Sequence, residues 1–578
     1  MRGPTPFRFR RTAGAVFGLL VALAAPPLSA EPSPGAYLAA RAALAAHDFP
    51  AARPLLAEAL AADPAHPVLL EGSVVAALAE GDLDAAVEAA RRLGEGGTRS
   101  HAAHLARLTR LARDGEWRRV LAALEAGRGV GALSGGLVRG WAWLGLGDEE
   151  AALSAFDELA AQDGLAAFGL THKALALAAL GDWAGAEAIL TLPPGEGMQP
   201  SRRGLVALAQ IMAEQGRPAD GAAILSEGGG RGLDPALLDL RDRLAAGEAV
   251  SFDVARNPAE GFAEALYTVG AALGQGDPLS ALLYARAALA IRPDHADAAL
   301  LAARSLEALG QPALARAAFA LVPPDDPAFL SAEIGRAESL RREGSGEAAA
   351  EILLALSRSH PGRADVQATL GDTLRTLGRH AEAEAAYDRA LALYDAASPV
   401  RWFVLYTRAI ARQAQDDWEG AEADLRAALA LEPDQPQLLN HLGYSLVERG
   451  EKLDEALAMI ERAVEAEPQN GAIVDSLGWA FFKLGRFEEA VEQLERAAAL
   501  EPTDPVINDH LGDAYWKVGR EREARFQWRR ALSFGPEPEE AARIRLKLEG
   551  GLKAVGAGEA PAEEGREPAP VVGEGPNG

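Results

Sequence analysis

The candidates for chemistry in this chain are a few short clusters of histidine, carboxylate and glycine residues. His101 and His104 stand three residues apart in SHAAHLARL, a spacing that places both imidazoles on one face of a helix. A tetrahedral metal site needs three or four protein ligands, and no third ligand lies nearby in the sequence. We therefore expect these histidines to lie on a helix surface, and we predict no metal site and no cofactor.

Two pairs of neighbouring carboxylates could serve as general acid and base or bind a cation. Asp325 and Asp326 lie in the proline-rich VPPDDPAF, which lacks the downstream Gly and Glu of an EF-hand loop. Glu488 and Glu489 open a predicted helix, where carboxylates interact favourably with the helix dipole. We expect a turn role for the first pair and a capping role for the second.

Motifs of the common enzyme classes do not occur in the sequence. There is no Gly-Lys-Ser/Thr phosphate loop, no His-Glu-x-x-His and no Gly-x-Ser-x-Gly. GRGVG at Gly127–Gly131 is similar to a fragment of a dinucleotide-binding loop, but no strand precedes it to direct a helix at a pyrophosphate. The sequence predicts a non-enzyme without catalytic residues.

The elements that carry these residues are predicted to be helices packed through small side chains. Alanine and leucine dominate, aromatic residues make up only 6%, and alternating β-branched runs are scarce. The absence of cysteine excludes disulfides and thiolate metal sites. A formal net charge of −26 disfavours nucleic acid and anionic membrane surfaces as partners, because both would repel the chain.

The N-terminus has the pattern of a secretory signal peptide. Residues 1–30 contain four arginines, then the apolar run Ala13–Ala25, then small residues ending at Ala30. The run is shorter than the roughly 20 apolar residues that a membrane-spanning helix needs. We expect export with cleavage after Ala30, and a periplasmic protein that is soluble or peripherally associated and has no transmembrane span.

A repeat of 34 residues organises the chain. In the last two copies Gly478 and Gly512 occupy equivalent positions, as do Pro502 and Pro536. This period is typical of the tetratricopeptide repeat, a helix-turn-helix unit whose apolar face only an identical neighbour can cover. The chain resembles the tetratricopeptide-repeat family at the family's pattern of Leu-Gly, Tyr, Ala, Phe, Ala and Pro. The matching residues are Leu511, Gly512, Tyr515, Ala524, Trp528, Ala531 and Pro536.

The resemblance implies an all-α superhelical solenoid of about fourteen repeats in two segments. A glycine between the two helices of each pair marks the period, with Asp416 and His47 as substitutes. The period is interrupted by SEGGGRGLDPALLDLRDRLAAGEAVSFDVARNPAEG, which suggests an irregular joint. The predicted organisation is a signal peptide at 1–30, a degenerate repeat segment at 31–225, a joint at 226–261, a second repeat segment at 262–536, a capping helix at 537–553 and a disordered acidic tail at 554–578.

Proteins of this family bind extended peptides or partner helices on the concave face, which the first helix of each pair lines. Carried over by position onto the clearest repeats, the resemblance implies that a partner-binding groove is lined by a set of aromatic, acidic and basic residues. The predicted groove residues are Asn440, Tyr444, Asp475, Trp479, Phe482, Lys483, Asp509, Asp513, Trp516 and Lys517. Large aromatics beside lysines are plausible anchors for a peptide that carries apolar and acidic groups, although aromatics at helical spacing are more often core residues.

A closer resemblance concerns function. The run Asn440–Leu532 is similar to a group of exported proteobacterial repeat proteins, and Asn257–Leu273 resembles their middle region. In that group a lipoprotein is the scaffold of a periplasmic protease that degrades cell-wall hydrolases, whereas the present chain lacks the lipid-anchoring cysteine. We therefore expect an exported, non-catalytic protein-protein interaction scaffold in a Gram-negative cell envelope, whose partner is a periplasmic protease or cell-wall enzyme. The alternative is a structural subunit of an envelope polysaccharide or secretion assembly.

Overall fold

The computed structural model describes residues 34–193, 201–228, 235–274 and 276–554. Within these ranges the chain forms thirty α-helices and no β-strand, which confirms the all-α prediction. The first sixteen are α1 (Pro34–Ala45), α2 (Phe49–Ala62), α3 (Pro67–Glu80), α4 (Leu83–Glu95), α5 (His101–Arg113), α6 (Trp117–Glu125), α7 (Ala132–Gly145), α8 (Glu149–Ala160), α9 (Ala166–Ala179), α10 (Trp183–Leu190), α11 (Arg202–Glu214), α12 (Pro218–Gly228), α13 (Pro235–Ala245), α14 (Pro258–Leu273), α15 (Pro278–Ile291) and α16 (Ala296–Ala308).

The other helices are α17 (Pro312–Phe319), α18 (Phe329–Arg342), α19 (Gly346–Ser359), α20 (Ala364–Thr376), α21 (His380–Leu393), α22 (Arg401–Gln413), α23 (Trp418–Leu431), α24 (Pro436–Arg449), α25 (Leu453–Ala466), α26 (Gly471–Lys483), α27 (Phe487–Leu500), α28 (Pro505–Lys517), α29 (Glu521–Ser533) and α30 (Pro538–Gly550). The predicted signal peptide lies outside the described residues, as does the predicted tail from residue 555 onward. Both stay predictions.

The turn inside each helix pair depends on a residue with positive φ. Gly519 follows α28 with a φ of 80°, and no atom lies within 4 Å of the place where its Cβ would be. Backbone conformation rather than lack of space therefore favours glycine there. Asp416 follows α22 with a φ of 61° and takes the same role, as the spacing predicts, because aspartate tolerates the left-handed region better than most residues.

The two helices of a pair approach each other through glycine. A methyl group on Gly478 in α26 would lie 2.6 Å from Leu494 Cγ in α27, and one on Gly512 in α28 would lie 2.5 Å from Trp528 Cδ1 in α29. Real Cβ atoms do not make such contacts, so these positions exclude even alanine unless the helices move apart.

The described residues form two compact units. Unit 1 comprises residues 34–228 and 237–311, and unit 2 comprises residues 312–554. The joint predicted at 226–261 contains the end of α12, helix α13 and a segment without regular secondary structure before α14; residues 229–234 of it lie outside the described residues. The domain boundary at this joint stays a prediction.

In unit 1, α14 and α15 pack against the first helices of the preceding pairs, α3, α5, α7 and α9. Gly261 of α14 lies so close to Trp141 of α7 that an added Cβ would be 2.2 Å from the indole ring. The Tyr284 hydroxyl of α15 donates to the Val130 carbonyl oxygen at 3.2 Å, and Arg286 Nε donates to the Ala79 carbonyl oxygen at 3.1 Å. The inward face of this part of unit 1 is therefore filled by the chain's own helices.

Buried polar contacts fix these two helices in place. His172 of α9 accepts a hydrogen bond from Trp141 Nε1 at 3.0 Å on one ring nitrogen and lies 3.2 Å from the Thr268 hydroxyl with the other. Burial lowers the pKa of His172 to about 4, which keeps the imidazole neutral at pH 7. Burial alone would raise the pKa of Glu264, but its ion pairs with Arg203 (2.7 Å) and His295 hold that pKa well below its ordinary value.

Unit 2 is a regular ladder of helix pairs, and α30 is its last helix among the described residues. On α30 Ile544 and Lys547 are buried, whereas Leu546 is 47% exposed. Helix α30 therefore packs one face on the preceding pair and leaves the other face open.

We predict that replacing Gly478 by alanine destabilises unit 2 by about 1–3 kcal/mol, because the new methyl group must displace Leu494. The matched control is Gly362→Ala, since Gly362 has no atom within 4 Å of its would-be Cβ and no positive φ. Urea unfolding of both variants followed by circular dichroism measures the difference. Equal stabilities for the two variants would contradict the role of close packing at Gly478.

Candidate partner-binding surface

The predicted groove residues all lie on three successive first helices of unit 2, α24, α26 and α28. They differ in exposure. Asp475, Trp479, Asp509 and Asp513 are buried, and Asn440, Tyr444, Phe482 and Trp516 are half-buried, whereas Lys483 and Lys517 are exposed. The structure thus brings the set onto one side of the ladder but gives its members different surroundings.

Trp479 is the centre of an aromatic stack. Its indole lies 3.9 Å from the His510 imidazole and 4.7 Å from the Phe482 ring, measured between centroids, with interplanar angles of 12° and 4°. Trp479 Nε1 also donates to Glu448 on the preceding first helix, α24. With both faces covered and its N–H satisfied, the side chain is only 9% exposed, so Trp479 mainly joins α24, α26 and α28 to one another.

The two exposed lysines border this stack. Lys483 Nζ lies 5.1 Å from the Trp479 ring centroid and 3.4 Å from a Glu448 carboxylate oxygen. Lys517 Nζ lies 5.4 Å from the Phe487 ring centroid. At these distances the ring quadrupoles attract the ammonium groups, which fixes two positive charges on the surface of the stack.

Asp509 and Asp513 hold the terminal helix. Lys547 Nζ of α30 lies 2.7 Å from a carboxylate oxygen of each, and Trp528 Nε1 donates to Asp513 at 2.8 Å. Burial raises the pKa of Asp513, although Lys547 opposes the shift. Burial alone would lower the pKa of Lys547, but Asp513 and Asp509 more than offset it, so the net pKa of Lys547 is raised. In this structure both carboxylates are engaged by the chain itself.

Trp516 is likewise in contact with residues of the chain, on α29 and just after α30. Its ring centroid lies 5.4 Å from that of Trp528, and the Arg525 guanidinium lies 5.3 Å from its ring centroid. A Cβ on Gly551 would lie 2.1 Å from Trp516 Cζ2, so the backbone after α30 lies directly on the indole. The assignment of Trp516 and the other predicted residues to a partner stays a prediction.

The open part of the ladder lies one repeat earlier, on α22 and α24. Phe403 of α22 is 43% exposed, and no ring covers its outer face among the described contacts. On α24 the side-chain oxygens of Asn440 and Gln437 are buried from water yet have no hydrogen-bond partner in the described structure. We call Phe403, Gln437, Asn440 and Tyr444 the α22–α24 surface.

Aromatic contacts support Phe403 from behind. Its ring centroid lies 5.6 Å from that of Trp402 and 6.4 Å from that of Tyr406, and Tyr406 meets His441 of α24 edge-on at 5.4 Å. His441 Nε2 lies 2.6 Å from Gln413 Oε1 on α22, and burial lowers the pKa of His441 to about 4. The neutral imidazole therefore links α22, which carries Phe403, to α24, which carries the two amide side chains.

Sequence reasoning did not select Phe403 or Gln437. The glycine period is 34 or 35 residues in the last repeats, but Gly378 and Asp416 are 38 apart, and positions counted from a fixed period therefore lose register at α22. Counting back from the residue with positive φ, Asp416, would have placed Phe403 level with Gln437 of the next repeat. The turn residue with positive φ, rather than the Leu-Gly pair of the first helix, is therefore the reference that gives the correct register.

Other sites are not supported by the described residues. In residues 34–193, 201–228, 235–274 and 276–554 no group of three or more His, Asp or Glu side chains is placed to hold a metal ion. His101 Nε2 lies 3.0 Å from the Tyr284 hydroxyl, so this histidine contributes to the contact between α5 and α15. Among the described helices, none combines the length and the apolar character needed to cross a membrane.

Comparison with known families finds tetratricopeptide repeats in five stretches of the chain. A model described as TPR repeat matches residues 478–519, and models described as tetratricopeptide repeat match residues 272–334 and residues 37–98, 334–398 and 406–470. A TPR repeat-containing protein of Pseudomonas aeruginosa is 31% identical over 160 residues, which is 27% of this chain and 26% of the relative. The match therefore spans about a quarter of that relative's length.

Solved structures with a similar chain trace include a chain of the APC/C hetero-tetramer Cut9-Hcn1. It is 16% identical, and the alignment covers 90% of this chain and 96% of that chain with a TM-score of 0.38. A tetratricopeptide repeat protein from Parabacteroides merdae is 15% identical, with 43% and 96% covered and a TM-score of 0.36.

We predict that Lys547→Met destabilises the end of unit 2 by about 3–5 kcal/mol near neutral pH, because it leaves two buried carboxylates without their counter-charge. Folding raises the pKa of such a carboxyl group. Between its ordinary pKa and this raised pKa, the folded protein therefore binds more protons than the unfolded protein, and the free energy of unfolding falls as the pH rises. The variant should therefore recover part of its stability at a mildly acidic pH compared with neutral pH, because the raised pKa of the buried Asp513 lets that carboxyl group take up a proton there.

Thermal unfolding at both pH values measures this effect, and Lys553→Met is the control because Lys553 is exposed. The control should show neither the loss nor the recovery. A Lys547→Met protein with wild-type stability at both pH values would mean that the two carboxylates do not depend on the ammonium group.

Proposed function

Since the chain belongs to the tetratricopeptide-repeat family, we propose that it is a non-catalytic scaffold that holds a segment of a partner protein on the α22–α24 surface of unit 2. The family models and the helical fold support a protein-protein interaction role. The particular surface and the particular class of partner are our proposal.

One observation carries the choice of surface: successive first helices, α22 and α24, carry an exposed aromatic ring and two buried hydrogen-bond acceptors without a donor. Phe403 is large, apolar and 43% exposed, and Asn440 Oδ1 and Gln437 Oε1 are shielded from water without a donor. An unsatisfied buried acceptor costs free energy, which a backbone N–H of a bound peptide would recover. A rigid aromatic beside such acceptors is the arrangement expected of an interface hot spot.

The predicted residues on α26 and α28 take a supporting role in this proposal. Trp479, Asp475, Asp509 and Asp513 are engaged in contacts within the chain, whereas Lys483 and Lys517 remain exposed on the same side of the ladder. Exposed cations at the rim of an interface mainly accelerate association with an acidic partner segment. We therefore propose a partner segment with an apolar anchor for Phe403 and with acidic residues that approach Lys483 and Lys517.

We further propose that the protein works in the cell envelope of a Gram-negative bacterium, as an adaptor for a periplasmic protease or cell-wall hydrolase. The signal-like residues 1–30 and the complete absence of cysteine favour this compartment and this soluble or peripheral form. The net charge of −26 favours a protein partner over nucleic acid or an anionic membrane surface.

We predict that Phe403→Ala and Asn440→Ala each weaken partner binding by about 1–3 kcal/mol while leaving unfolding nearly unchanged, because both side chains contribute little to the core. The matched control is Phe526→Ala, which removes a phenylalanine of unit 2 that is 61% exposed on α29. Trp479→Ala should show the opposite pattern, with a loss of about 3–5 kcal/mol of stability from the broken stack.

The measurement begins with a photo-crosslinking residue placed at position 403 or 526 of the full chain, expressed in its own organism. Proteins cross-linked from 403 but not from 526 are identified by mass spectrometry, purified and titrated against the variants. Equal cross-linking from both positions, or unchanged affinity after Phe403→Ala, would reject the surface. Recovery of the chain in a stoichiometric membrane complex would instead favour a structural subunit of an envelope assembly.

A further inference from the structure

The segment between α13 and α14, residues 246–257, has no regular secondary structure, and it lies along α11 in unit 1. The sequence analysis assigned it only to an irregular joint. Helix α11 holds this segment through side-chain bonds to its backbone, rather than through packing of one helix on another.

Two side chains of α11, one helical turn apart, bind consecutive backbone amides of the segment. Glu214 Oε1 accepts from the Phe252 N–H at 2.9 Å, and Gln210 Oε1 accepts from the Asp253 N–H at 3.1 Å. Gln210 Nε2 also donates to the Asp253 carboxylate at 2.8 Å. Gln210 is buried, and its side-chain amide contacts both the backbone and the side chain of Asp253.

Apolar side chains of the segment enter unit 1. Phe252 is 6% exposed and meets Trp183 of α10 edge-on, with the ring centroids 5.8 Å apart. Val254 is fully buried, and its carbonyl oxygen accepts from Arg292 Nη1 at 2.9 Å. Ser251 and Asp253, which alternate with them, are exposed. The segment thus alternates between inserted apolar residues and exposed polar ones.

We propose that α10 and α11 form a peptide-binding site whose ligand is an aromatic residue followed by aspartate, and that residues 250–254 occupy it within the chain. Three features support a ligand role over a simple connection. Two of the bonds go to the backbone, which any peptide carries; they come from side chains already positioned on a helix; and the side-chain contacts of α10 and α11 concern the aromatic ring and the carboxylate.

The chemistry of the site defines its selectivity. Glutamine at 210 can donate to a carboxylate, whereas glutamate at this position would repel it, so the site favours aspartate in the ligand. Trp183 gives an edge-on contact that an aromatic side chain fills best. This site is distinct from the α22–α24 surface, and unit 1 takes no partner segment there while residues 250–254 are in place.

The test uses the full chain with the resident segment weakened by Phe252→Gly, Asp253→Gly and Val254→Gly. The probe is a fluorescently labelled peptide of residues 248–257, EAVSFDVARN, in excess over the tethered segment. We expect no change in peptide anisotropy with the wild-type chain, saturable binding with the triple variant, and binding weakened by about tenfold or more when Gln210→Glu is added. A peptide with alanine in place of the phenylalanine should also bind at least about tenfold more weakly.

A correctly folded triple variant that leaves the probe unbound overturns the proposal, as does equal binding in the presence of Gln210→Glu. Because the triple variant can fail to fold, hydrogen exchange on the Gln210→Glu chain is a second test. The amides of Phe252 and Asp253 should exchange about tenfold faster than in wild type. Gln162→Glu, an exposed residue of unit 1, is the matched control and should change neither amide. Unchanged exchange at both amides in Gln210→Glu also overturns the proposal.

Discussion

Close approach of helix backbones is the constraint on which this structure depends. At Gly478 and Gly512 there is no room for a methyl group between the two helices of a pair, and at Gly261 there is none between α14 and the indole of Trp141. Helices that approach this closely bury a continuous apolar face, which leaves the next pair to cover what remains.

The 34-residue period was sufficient to predict an all-α array of tetratricopeptide repeats, and this prediction is confirmed. The period specifies contacts between neighbours only. It could not indicate that α14 and α15 pack on helices far earlier in the chain, or that Lys547 reaches Asp509 across 38 residues. For the candidate surface, the repeat spacing placed Asn440 and Tyr444 on the first helix of a pair, α24. The burial of Trp479 depends on the rings of His510 and Phe482, which stack on its indole. No spacing pattern in the sequence predicts this stack.

The two units consist of similar helix pairs, but the inward positions of these pairs make different contacts. In unit 1 the inward positions are occupied by α14, α15 and the segment before them, and some buried polar groups meet specific partners: the neutral His172 with Trp141 and Thr268, and Glu264 with Arg203. In unit 2 several equivalent positions join neighbouring repeats, while α22 carries a partly exposed aromatic ring and α24 carries two buried acceptors without a hydrogen-bond donor. Buried polar groups with hydrogen-bond partners favour one packed arrangement, whereas a buried acceptor without a donor can gain a hydrogen bond when a partner protein binds.

The bond from Arg286 to the Ala79 carbonyl oxygen joins residues 207 positions apart in sequence, and it affects how the chain acquires its structure during synthesis. Helices α3 to α11 leave the ribosome well before α15 exists, so their inward apolar residues remain accessible to water and to other molecules for that time. At about 5–20 residues per second the interval between Ala79 and Arg286 is on the order of tens of seconds. An array whose repeats each need only their neighbours could fold as it emerges, but unit 1 has a high contact order and must wait for its last helices.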